Sequence, residues 1–87
     1  MKIKDLEELE REFNKFGFEL GNSEAGPMDS GIAIFSDGRQ TIKVIKDKPQ
    51  WFFDGDKNFL EPLGLWRAFD KTREFCSAID LLVRRLR

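Results

Sequence analysis

Apolar residues recur along this chain at two periods, and each period marks a type of element. From the start, Ile3, Leu6, Leu9, Phe13 and Phe16 are spaced by three and four, with Asp5, Glu7, Glu8, Glu10 and Glu12 on the other faces. That is the pattern of an amphipathic helix. Its acids crowd the first half and Lys15 lies near the end, the order a helix dipole favours. Gly17 suits the left-handed residue just past the last turn, with Phe18 folding back onto the helix, so the helix is expected to stop near Phe16.

Phe18 and Leu20 then flank Glu19 at a period of two, which admits a short strand. Gly21 to Ser30 has no period and reads as a connecting loop. Three β-type runs follow, Gly31 to Phe35, Thr41 to Lys46 and Trp51 to Phe53, separated by Asp37-Gly38 and by Asp47-Lys48-Pro49-Gln50. Asp-Gly is a strong hairpin signal, and the second turn is rich in turn formers, so the runs predict an antiparallel meander. Ile32 with Ile34 and Ile42 with Val44 predict one apolar face. The second would carry Ala33, Phe35, Ile45 and Phe52 and is not cleanly polar.

Asp54 to Leu65 reads as a second loop, and a final helix begins between Trp66 and Thr72, where Asp70 suits the N-cap. Phe75, Ile79, Leu82, Val83 and Leu86 form its apolar stripe, with Cys76 at the margin, and Asp80 can pair with Arg84 one turn on. The expected fold is α+β: a single domain over residues 1–87 in the order α-β-β-β-α. Its three-stranded antiparallel sheet, with a short extra strand admitted at Phe18 to Leu20, is packed on one face by both helices.

Composition narrows the function. Eighty-seven residues build one modest core, and nine phenylalanines and two tryptophans predict that it is aromatic. Fifteen basic against sixteen acidic residues give a net charge of -1, which offers no global attraction to nucleic acid or to an anionic membrane. A single cysteine forms no internal disulfide, and no run approaches a membrane span, so a reducing cytoplasm is the expected compartment. Histidine is absent, which removes the commonest general base and metal ligand and points away from an enzyme. Cys76 on the helix stripe reads as an apolar filler with no histidine to activate it. No cofactor motif is present.

Three local features remain. Asp54, Asp56 and Asn58 match the first, third and fifth ligand positions of a calcium-binding EF-hand loop. The sixth position, however, is Phe59 where glycine is needed, and the twelfth is Leu65 where glutamate is needed, so the stretch reads as a polar turn and no metal site is expected. Between Trp51 and Trp66, eight large apolar residues stand among sixteen positions, interleaved with acids. Two helices on one face of a small sheet do not easily hide them all. Trp51, Phe52, Asp54, Asp56, Phe59, Glu61 and Trp66 are therefore the candidate surface for a protein partner, of the kind a small inhibitor or adaptor presents. The competing outcome is that the loop folds over the sheet and buries them. Self-association through the sheet, giving a homodimer, is a third reading.

The last seventeen residues carry a net charge of +3, from Lys71, Arg73, Arg84, Arg85 and Arg87 against Glu74 and Asp80. The helix, three strands, helix order and the Gly26-Pro27 turn before the first long strand resemble the double-stranded RNA-binding domain. That family also carries a histidine soon after its Gly-Pro and a Lys-Lys-x-Ala-Lys cluster at the start of its last helix, which grips phosphates. Here there is no histidine, and the corresponding stretch is Asp70-Lys71-Thr72-Arg73-Glu74. The resemblance thus implies a shared layout. It makes nucleic-acid binding through the five C-terminal cations the alternative function, which a steep salt dependence would reveal.

Overall fold

The computed structural model describes residues 1–87. The first helix, α1 (Ile3–Asn14), is followed by strands β1 (Glu19–Ala25), β2 (Gly31–Ser36), β3 (Thr41–Asp47) and β4 (Gln50–Asp54). A single turn of helix, α2 (Lys57–Leu60), runs into a 3-10 turn (Glu61–Leu63), and the chain closes with α3 (Thr72–Leu86). The strands form one antiparallel sheet in chain order. The sheet therefore has four strands and not three, a departure from the layout of the double-stranded RNA-binding domain as well. The extra strand is a full element because Asn22, Ser23, Glu24 and Ala25 pair with Ile34, Ala33, Ile32 and Gly31. Only Leu20 and Ala25 in β1 are apolar, so the backbone ladder makes this strand while its side chains carry no period to announce it.

Helix α1 ends as Gly17 predicts. Gly17 has φ +81°, and Phe18 N–H donates to the Phe13 carbonyl at 3.1 Å, closing the helix end and turning the Phe18 ring into the core. Asp37 nucleates the β2–β3 connection by accepting from the N–H groups of Arg39 (2.9 Å) and Gln40 (2.8 Å). Those donors stabilise its ionised form and hold its carboxyl below the usual value. The long segment after β4 is ordered by Asp56, whose carboxylate accepts from Asn58 N–H and caps α2. Asp70 does not cap α3. It accepts from the Gln50 amide at 2.8 Å, and the position before the helix belongs to Lys71, which makes no side-chain cap bond.

Register decides which side chains meet. Ser36 pairs with Thr41, so Phe35 lies opposite Ile42, Ala33 opposite Val44 and Gly31 opposite Lys46. Val44 in turn pairs with Phe53, and Lys46 with Trp51. Cross-strand partners share a face. The inner face is thus Ala33, Phe35, Ile42, Val44, Trp51 and Phe53, all buried, while Ile32, Ile34, Ile45 and Phe52 lie on the other side. This corrects the grouping of Ile32 and Ile34 with Ile42 and Val44. The turn from Ser36 to Thr41 brings even-numbered residues of β2 opposite odd-numbered residues of β3, and that parity is invisible to periodicity within either strand.

Both helices cover the inner face. Phe13 of α1 stacks on Phe35 with ring centroids 4.0 Å apart, and Phe75 of α3 stacks on Trp51 at 5.4 Å and packs against Phe53 and Phe69. Trp51 is wholly buried, and its indole N–H donates to Thr72 Oγ1 at 3.1 Å. The outer edge of β4 is partly closed by Phe69, whose N–H and carbonyl exchange hydrogen bonds with Trp51. At the other edge, β1 is almost entirely exposed.

One charge enters this core. Lys46, only 5% exposed, sits on the inner face and donates to Asp5 of α1 at 2.7 Å and to Asp29 of the β1–β2 turn at 2.9 Å, with its ammonium 5.2 Å from the Trp51 ring. Asp29 has φ +64° and follows Met28 at φ +55°, so the turn takes the backbone signs of a tight hairpin. Gly31 beside it has no room for a side chain, because a Cβ there would lie 2.7 Å from the Glu24 carbonyl oxygen. Burial pulls the Lys46 pKa down, but hydrogen bonds to Asp5 and Asp29 outweigh it and hold the ammonium above its ordinary value. The hydrogen bond from Lys46 in turn lowers the Asp29 carboxyl.

Two outcomes follow for stability. Phe35→Ala removes a stacked, fully buried ring and is expected to cost about 3–5 kcal/mol, read by urea unfolding. For the cluster, the contribution of Asp29 is present above the ordinary carboxyl value of 3.8 and is lost as pH falls through its lowered pKa. That of Lys46 is present below 10.5 and is lost as pH rises through its raised pKa. Lys46→Met should therefore flatten both limbs of the stability–pH curve, leaving an acid slope from Asp37. Limbs as steep as in the wild type would show that the cluster does not couple folding to pH.

Candidate protein-binding face

The outer face of the sheet carries no helix, and the ladders fix its rows. One row runs Glu24, Ile32, Ile45, Phe52 across all four strands, and the next runs Asn22, Ile34, Lys43, Asp54. The bulge between Leu20 and Asn22 makes this possible. It inserts one residue into β1, so that Leu20 pairs with inward-facing Phe35 while Asn22 and Glu24 pair with outward-facing Ile34 and Ile32. Ile32, Ile34, Ile45 and Phe52 are half-buried, each sheltered by its neighbours in the sheet and by nothing above it. At the margin, Lys43 and Asp54 pair at 3.2 Å.

The partner residues predicted from the sequence do not form one surface. Trp51 belongs to the core and is withdrawn from any contact with a partner. Phe52 lies on the open face, and Asp54 beside it is held by Lys43. Asp56 is spent as the cap of α2, and Glu61 lies 3.9 Å from Lys57. Phe59 and Trp66 are exposed to 39% and 45%, while Leu60 and Leu65 of the same segment are buried, so the loop hides part of its apolar content and leaves the rest outside. Ile32, Ile34 and Ile45 are the members that sequence reading missed as surface. Their signal was present as apolar residues on both faces of each strand, and only the register assigns them a side.

The five C-terminal cations are dispersed. Arg84 bonds Asp80 at 2.6 Å and lies over the Phe16 ring, and Arg87 donates to the Phe16 carbonyl. Arg73 lines the α1–α3 groove, where Glu8, Glu12 and Asp80 offset it together with Arg11 and Lys15. Lys71 and Arg85 are exposed without an ion-pair partner. Cys76 forms part of the floor of that groove.

No group of three histidine, cysteine, aspartate or glutamate residues is placed to hold a metal ion, and no helix is long and apolar enough to cross a membrane. Comparison with protein-family models, curated proteins and solved structures gives no match. The residues themselves therefore carry the functional reading.

Burial, then Glu8 and Glu12, push the Cys76 thiol up to about 12. At pH 8 the folded chain is expected to resist iodoacetamide, and alkylation should track global unfolding as urea is added. Rapid labelling of the native chain would show that the groove floor opens.

Proposed function

We propose that this chain is a small non-enzymatic protein-binding module, of inhibitor or adaptor type, that docks its partner on the open face of the sheet. The observation that supports this reading is the placement of Ile32, Ile34, Ile45 and Phe52 on a sheet face that no element of the chain covers. An amphipathic layer ordinarily buries its apolar side against a second layer. Here the inner face has that layer in α1 and α3, and the outer face has none. Clustered apolar side chains with an acidic and amide margin match a docking surface better than a solvated sheet face. Phe52 is the aromatic member and the natural anchor.

The test is capture from host lysate with the tagged chain, treated with nuclease, comparing wild type with the Ile45→Thr, Phe52→Thr double variant. Threonine keeps β propensity while removing apolar area, so the fold is expected to persist, which circular dichroism checks. The expected result is a stoichiometric protein that survives nuclease and is lost with the variant. Equal capture by the folded variant would overturn the assignment of this face. Recovery that vanishes with nuclease would favour Lys71, Arg73 and Arg85 as a nucleic-acid contact instead.

A further inference from the structure

Charge and backbone geometry on the open face specify what can lie there. The carboxylates that the strands place on that side are Glu19, Glu24, Asp47 and Asp54, and Lys43, already paired with Asp54, is the one cation within its rows. Lys48 and Arg39 belong to the hairpin turns beyond the strand ends. Glu19, Glu24 and Asp47 take part in no ion pair. The apolar patch spans three strands, about 10 Å at the usual spacing, which is also the rise of about seven helical residues, or two turns.

A segment lying on a sheet face finds no free N–H or C=O beneath it, because those groups point along the sheet. An extended peptide there would leave its own backbone unpaired, whereas a helix satisfies its backbone internally. A second copy of this chain would bring the unpaired Glu19, Glu24 and Asp47 against the same three, and a nucleic acid would meet them with phosphates.

We infer that the open face binds an amphipathic helix of a partner protein, with apolar residues spaced i, i+3 or i+4, i+7 over Ile32, Ile45 and Phe52 and with lysine or arginine on its flanks. This rests on the reading of that face as a docking surface and adds the chemistry of the occupant. The bound helix completes a three-layer arrangement in which the sheet is covered on both sides. Its cations meet Glu24 at one end of the apolar row and Asp47 on β3, two residues past Ile45 and beside the same row, and these exposed acids govern selectivity.

The probe is a random display library of peptides of about 18 residues, five helical turns, selected on the intact chain. Recovered peptides are mapped by amide NMR shifts and circular dichroism. The expected winners are basic, become helical on binding and shift the amides of Ile32, Ile45 and Phe52. Glu24→Lys combined with Asp47→Lys, two exposed changes that leave the core untouched, should weaken them about tenfold and turn the selection toward acidic peptides. Peptides that dock on the same face but are acidic, uncharged or extended overturn the inference and leave the docking reading standing, as does an affinity unmoved by the charge reversal. If no peptide occupies the face, or sedimentation shows only a dimer that Ile45→Thr dissolves, both the inference and the reading of a foreign partner fall.

Discussion

A sheet has two sides, and this chain owns only enough helix for one. Each strand from β2 to β4 carries large apolar residues on both sides, while α1 and α3 lie together over the inner side. Everything else is arranged around that imbalance. The stacked pairs Phe13–Phe35 and Trp51–Phe75 consume the largest side chains on the inside. The branched residues Ile32, Ile34 and Ile45 are left outside, where they shelter one another across the strands.

Lys46 shows how the inner layer is fixed in place. A buried ammonium requires partners, and its two carboxylates come from elements distant in the chain, α1 and the turn at Asp29. If either partner drifts, the buried charge keeps only one carboxylate, so the bond pattern favours the placement of the first helix that keeps both. The aromatic wall provided by Trp51, itself anchored to Thr72 at the start of α3, brings the second helix into the same arrangement.

Both helices were legible in the sequence because each runs for several turns with an uninterrupted stripe, and Phe75, Ile79, Leu82 and Val83 are all buried as that stripe requires. The meander was legible because Asp37 and Pro49 sit where strands reverse. What failed to show was β1, whose Gly-Asn-Ser-Glu stretch has loop composition and is a strand only because β2 offers it a ladder. The sides of the sheet were equally hidden, since strands apolar on both faces give no in-or-out signal and cross-strand parity comes from the turn. Trp51 was misplaced for the same reason: an aromatic run of three residues says that rings are present, while pairing with Lys46 says which one points inward.

The polar, bulged β1 has a further meaning for how the chain is made. Without it, β2, with Ile32, Ile34 and Phe35 in six residues, would be a bare margin of the sheet, open to pairing with the same strand of another molecule. Synthesis runs from the N-terminus, so β1 leaves the ribosome before the strand it shields. The apolar strand β2 thus emerges with its pairing partner already made, and the edge left facing water is β1, where the glutamates and the bulge discourage pairing with another molecule.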